Sequence, residues 1–126
     1  MSLPINARIQ AAQSFVRNVR SAREFMHQQD SGSAETRYGA LLVRLKEARE
    51  YLSWNPAAGR PARFLNAHSA QGQAMAARAL ALAIKQGVPE LREFVVNPYV
   101  LLYAHGQDRV VLLALKHQRQ LVFQIE

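Results

Sequence analysis

Apolar positions in the first half of the chain recur with the helical period, whereas those in the last third gather into short unbroken runs. Over residues 11–29, Phe15, Val19, Ala22 and Met26 fall at i, i+4, i+7 and i+11, one face of a helix. Arg17, Arg20 and Glu24 take the other side. Asp30-Ser31-Gly32-Ser33 interrupts the pattern, and Ser33 has the chemistry of an N-cap for a following helix. That second helix is predicted over 34–54, with Tyr38, Leu41, Leu42, Leu45, Ala48 and Leu52 as its apolar stripe. Pro56 pushes Asn55 out of the helical region and stops it. Two amphipathic helices joined by a four-residue break predict an antiparallel hairpin.

Residues 5–10 alternate in part and predict a short N-terminal strand. Residues 56–61 read as a loop. A third, alanine-rich helix is predicted over 69–86, closed by Gly87 and Pro89. Its second half is apolar nearly all round (Leu80, Leu82, Ile84), which predicts burial on two sides. The period then changes. Residues 91–96, 99–104 and 110–115 are apolar runs separated by Asn97-Pro98 and His105–Asp108, the pattern of a three-stranded antiparallel meander. Leu121–Phe123 is expected to extend the last strand after a bend. The fold class is therefore α+β. A short strand and helical hairpin pack on one side of a C-terminal antiparallel sheet, with an extra helix at about 69–86. Residues 1–126 form a single domain on this reading.

Charge narrows the partners. The net charge is +7, which favours an anionic partner such as nucleic acid, an acidic protein or a membrane surface. Residues 1–63 carry ten Lys/Arg against five Asp/Glu, and residues 64–126 carry six against four. There is no cysteine, so disulfides and thiolate zinc sites are excluded and the cytoplasm is the expected compartment. No apolar run has the length of a membrane span, and Met1–Pro4 lacks the apolar core of a signal peptide.

Candidate chemistry concentrates at the end of the last strand, in Lys116, His117, Gln118 and Arg119. If that strand is regular, Arg109, Val111, Leu113, Leu115, His117 and Arg119 share a face. Tyr99, Leu101 and Tyr103 share a face on the neighbouring strand, as do Arg92, Phe94 and Val96 on the one before. A sheet face with Arg92, a tyrosine, His117 and Arg119 suits phosphate. Charged strand ends equally serve to keep edges from aggregating. His117 has the chemistry of a general acid or base, but no serine or acid beside it suggests a hydrolytic triad. His27, His68, His105 and His117 lack metal-ligand spacing, and no glycine-rich phosphate loop is present. Neither cofactor nor metal is expected.

Together these residues resemble the RelE/ParE superfamily of toxins. Asn55-Pro56-Ala57-Ala58-Gly59-Arg60-Pro61 is similar to the NP-x-x-GRP loop that ends the second helix there. The C-terminal sheet is similar too. It has an arginine in its first strand (Arg92), tyrosines around the next (Tyr99, Tyr103), a polar turn, an apolar last strand, and a terminal His-x-Arg (His117, Arg119). The resemblance implies the toxin of a bacterial type II toxin–antitoxin, or plasmid stabilisation, system. Its partner would be a small antitoxin, acidic in the segment that wraps the toxin. ParE-like members poison DNA gyrase by protein contact. RelE- and YoeB-like members cleave mRNA on the ribosome.

Two departures shape the expectation. Val100 stands where YoeB-like members carry an arginine, and an aliphatic group cannot stabilise a phosphorane's charge. The lysine pair of RelE-like members is missing, and Gln118 takes the place of the YoeB-like histidine. The chain is thus expected to be ParE-like and not an enzyme. Arg92, Tyr99, Tyr103, Lys116, His117 and Arg119 would then contact antitoxin or target. The alternatives are a ribosome-dependent endoribonuclease using His117, Arg92 and Arg119, or a non-toxic toxin-fold protein acting only with its antitoxin. The second departure is the helix inserted after the loop. Leu80 and Leu82 either pad the sheet or receive the antitoxin or a second copy of the chain.

Overall fold

A computed structural model describes residues 6–66, 68–88, 90–120 and 122–125. Strand β1 (Arg8–Ala11) leads into a hairpin of helices α1 (Gln13–Gln29) and α2 (Ser31–Trp54). The two-residue strand β2 (Arg60–Pro61) and a 3-10 turn (Arg63–Asn66) precede helix α3 (Ala70–Gln86). Strands β3 (Glu90–Val96), β4 (Tyr99–His105) and β5 (Arg109–His117) complete one five-stranded sheet in the order β1-β5-β4-β3-β2. The predicted meander β3–β4–β5 is antiparallel, with Val96 opposite Tyr99 across the Asn97-Pro98 turn. The sheet as a whole is mixed, because β1 runs parallel to β5, pairing Arg8 with Arg109 and Ala11 with Leu112.

The sequence places the helices on one side of the sheet, but both faces are covered. Phe15 and Met26 of α1 join Leu41, Ala48 and Leu52 of α2 over Val96, Tyr99, Leu101, Tyr103, Val110, Leu112 and Leu115. On the opposite face, Met75, Ala79 and Ala83 of α3, with Phe123 and Ile125, cover Leu91, Val100, Leu102, Ala104, Val111 and Leu113. Burying one such side chain stabilises by about 1.5–3 kcal/mol before ordering entropy is counted. Double coverage explains why β4 is apolar throughout: every residue from Tyr99 to Ala104 is buried.

Several local expectations change. A register shift at Leu102/Tyr103 inserts an extra residue into β5: Leu102 faces Ala114 while Tyr103 faces Leu112. A bulge reverses the facing of everything beyond it. Val111 and Leu113 therefore face α3, whereas Leu115 faces the hairpin, so the six residues expected on one face are divided. Helix α2 starts at Ser31 rather than 34. Its N-cap is Asp30, whose carboxylate accepts from Gly32 N–H at 3.0 Å, not Ser33. Leu42 lies outside the α2 stripe and is exposed. Helix α3 buries one side, not two; Leu82 packs against the core while Leu80 and Ile84 are exposed. Gly87 closes it as expected, at φ 76°; Ser69, which the sequence reading counts as its first residue, is instead its N-cap, the side chain accepting from Gly72 N–H. Residues 122–125 do not prolong β5 but return Phe123 and Ile125 to the core; Leu121 lies outside the described residues.

Polar residues of α1 complete the sheet edge. β1 ends at Ala11, leaving the distal part of β5 without a strand neighbour. There the Ser14 hydroxyl donates to Leu113 C=O, and Asn18 Oδ1 accepts from Leu115 N–H at 2.9 Å. Spaced one helical turn apart, they satisfy buried backbone groups that an apolar helix face would orphan. Neither was singled out from sequence. The visible signal is two small polar residues directly beside the apolar stripe at Phe15 and Val19.

Candidate functional site

Two sites carry the residues marked in the sequence. The first is the Asn55–Pro61 loop, clamped by the meander. The Tyr103 hydroxyl donates to Pro56 C=O at 2.7 Å and accepts from Gly59 N–H at 2.9 Å. Arg92 donates through Nη1 to Gly59 C=O at 2.8 Å and through Nε to His105 Nε2 at 3.1 Å. That acceptor role leaves His105 Nε2 without a proton. From the other face, the buried Glu93 carboxylate lies 3.4 Å from Arg60 Nε and 3.6 Å from Arg63 Nε, and accepts from Arg63 N–H at 3.2 Å. Gly59 cannot gain a side chain, since a Cβ there would lie 2.5 Å from Glu93 C=O and 2.8 Å from the Tyr103 hydroxyl. Asn55 accepts from Ala58 N–H through its carbonyl, closing the turn. Burial raises the Tyr103 phenol pKa, partly offset by Gly59 N–H and Arg92. The hydroxyl therefore stays protonated as a structural donor.

The second site lies at the opposite end of β4, under the hairpin. A 260 Å³ cavity between α1, α2 and the β3–β4 turn is lined by Phe25, Arg37, Arg44 and Pro98, among others. A 430 Å³ cavity between α1 and the end of β5 is lined by Asn18, Arg119, Gln120 and Gln124, among others. Phe25, Gln29, Tyr99 and His117 line both, so the two form a divided cleft. Among the described residues, no carboxylate lines either chamber. The floor is apolar (Met26, Leu41, Val96, Leu115) and the rim is cationic.

Within this cleft the rings of Tyr99 and His117 meet edge to face at 5.3 Å. Burial raises the Tyr99 phenol pKa, and the Arg37 charge works against that. His117 Nδ1 accepts from Arg119 N–H at 3.1 Å, which places the proton of the neutral ring on Nε2. Arg44 donates to Asn97 C=O. Arg37 holds the turn between the helices, bonding Met26 C=O at 2.9 Å and Ser33 Oγ at 3.0 Å.

The structure does not bring the proposed phosphate-handling set together. Val96, not Arg92, is the β3 residue beside Tyr99 and His117. Arg92 stands four residues away along the strand, about 13 Å at the usual rise, with its guanidinium engaged on the loop. Lys116 points to the other face, over the Phe123 ring at 5.3 Å, and burial lowers its pKa. Arg119 lies in the exposed turn after β5. Val100 is buried in the α3-side core. Arg37, Arg44 and Phe25 belong to the cleft but were not marked from sequence; alone they read as ordinary helix-surface residues. Among the described residues, no three His, Asp or Glu are grouped to hold a metal ion, and no helix is long and apolar enough to cross a membrane. A scan against protein-family models finds no match, and a search of curated proteins likewise finds none.

Proposed function

We propose that the chain is the toxin component of a bacterial type II toxin–antitoxin system, of the ParE-like branch. On this reading it inhibits growth by protein contact with DNA gyrase and is neutralised by an acidic antitoxin. The carrying observation is that the two halves of the resemblance interlock. Tyr103, Arg92 and Glu93, all from the meander, hold Pro56, Gly59 and Arg60 of the loop and Arg63 just after it. The cleft suits a partner of that kind, since an apolar floor with a cationic rim complements apolar anchors on an acidic segment.

Protein contact is preferred to RNA cleavage because Arg92 is engaged structurally, away from His117, and because α3 and residues 122–125 occupy the sheet face opposite the hairpin. The test is purified protein assayed for inhibition of gyrase supercoiling and, in parallel, for mRNA cleavage on ribosomes. Inhibition without cleavage is expected. Ribosome-dependent cleavage abolished by His117→Ala, with gyrase untouched, overturns the choice. Expression without any growth defect would point to a toxin-fold protein that acts only with its antitoxin.

A further inference from the structure

The outward side of α2 carries more apolar surface than a solvated helix face needs. Gly39, Val43, Lys46, Glu50 and Trp54 recur at i, i+4, i+7, i+11 and i+15 and so share a face. It lies opposite the Leu41, Ala48 and Leu52 side that covers the sheet. Val43 and Trp54 are 57% and 58% exposed on it, and Trp54 is the only tryptophan of the chain. The flank beside it is open as well. There Glu47 and Tyr51 line a groove of 390 Å³ along the β3 edge, with Arg44 and Phe94 among its other walls.

Gly39 is the odd member of the face. Glycine inside a helix weakens it relative to alanine, and a Cβ at this position would meet no atom within 4 Å. Packing within the chain therefore gives no reason for it. A second helix laid over the face does, because the side chains at the contact set how closely two helix axes approach. Between the glycine and the tryptophan lie Lys46, Glu47 and Glu50. Among the described residues none of these three charges has an ion-pair partner.

We infer that this face is a self-association surface, on which the α2 helices of two copies of the chain pack antiparallel about a two-fold axis between Lys46 and Glu47. The occupant follows from the order of residues about that midpoint. Gly39 and Trp54 are equidistant from it, as are Val43 and Glu50. Antiparallel packing on that axis sets each Trp54 over Gly39 of the other copy, with Val43 one turn along. It also sets each Lys46 against Glu47 and Glu50 of the other copy. The exposed indole thus meets the open gap, and unpaired charges meet their opposites, each of them twice. Parallel packing would instead bring Lys46 beside Lys46 and Trp54 beside Trp54. The cationic cleft offers a second copy no carboxylate among its described lining residues. One helix pair buries less than a standard interface, which places the dimer among the weaker associations. The inference does not depend on the toxin reading.

Sedimentation equilibrium of the full chain across a wide concentration range tests it, with tryptophan emission as a second readout. The mass should rise from 14.2 kDa towards twice that value. Trp54 emission should move to shorter wavelength in step, as the indole leaves water. Gly39→Leu fills the gap while favouring the helix. Circular dichroism should show it folded, and its association should be weaker by about tenfold or more. Lys46→Glu makes the middle of the face wholly acidic, and Glu47→Lys with Glu50→Lys makes it wholly basic. Each of these variants should be monomeric, whereas an equimolar mixture of the two should dimerise again. A monomer at every concentration of the unmodified chain overturns the inference. So does a dimer whose Trp54 emission stays constant, a dimer that folded Gly39→Leu and Lys46→Glu leave intact, or a mixture that remains monomeric.

Discussion

Both hydrogen bonds of the Tyr103 hydroxyl go to one loop, and this makes a single atom answerable for how that loop sits. Tyr103→Phe keeps the ring and leaves Pro56 C=O and Gly59 N–H without their buried partner. Unsatisfied buried groups cost about 1–3 kcal/mol, so a fall in Tm of several degrees is expected for a chain of this size. Gly59→Ala should cost more, because the added Cβ meets the Glu93 backbone oxygen, which the β3–β4 pairing prevents from retreating. An unchanged Tm in either variant would mean that the loop is not clamped in solution. Val100→Arg addresses the nuclease question at the same scale. Placing an arginine there buries a charge in the α3-side core, so loss of stability, not gain of ribonuclease activity, is the expected outcome. Folded protein with new cleavage activity would show that the position is open to RNA.

Elements were legible where one period ran without interruption. The two long helices, α3 with its Gly87 stop, and the three meander strands all follow from spacing. What escaped were features that depend on partners distant in sequence. β2 is two residues held by Glu93 and Arg92, and its own residues carry no strand signal. The bulge beside Leu113 is invisible to a period-two reading, yet it decides that Val111 and Leu115 face opposite ways. Double coverage of β4 was readable in principle, because a strand with one wet face would have alternated. The cleft was half legible. Tyr99 and His117 were marked, but their neighbours Arg37 and Arg44 come from helix positions that only tertiary structure brings near. Leu82→Glu should destabilise the fold, since Leu82 packs on the core, while Ile84→Glu, 71% exposed, should leave Tm nearly unchanged. If both are neutral, α3 is not docked as described. Asp30 couples the start of α2 to pH. Its hydrogen bonds to Ser33 and Gly32 hold its carboxyl below the usual range. Its contribution is thus present above its unfolded pKa and lost as pH falls through the lower folded value. Asp30→Asn, which still caps, should flatten the acid limb of the stability–pH curve; an unaltered limb would assign the acid sensitivity elsewhere, for example to Glu35 beside Arg23 and His27.

At the scale of the whole molecule, the +7 charge matters through its placement. The cleft gathers Arg37, Arg44, His117 and Arg119 with no lining carboxylate among the described residues, whereas the β3-edge groove balances Arg44 with Glu47. The two surfaces should therefore respond differently to salt. If an acidic antitoxin segment occupies the cleft, its affinity should fall steadily as ionic strength rises past about 0.1 M, where the screening length shrinks to about 10 Å. Arg119 is exposed in a turn, so Arg119→Glu should leave the fold intact while slowing association with the antitoxin and making its dependence on salt shallower. Arg78→Glu makes the same change in net charge on exposed α3, away from the cleft. It serves as the control for a general field effect. Binding that responds equally to both substitutions would mean that the antitoxin senses total charge and that the cleft is not its seat. A selective response to Arg119→Glu would place the acidic segment under the hairpin, across Tyr99 and His117.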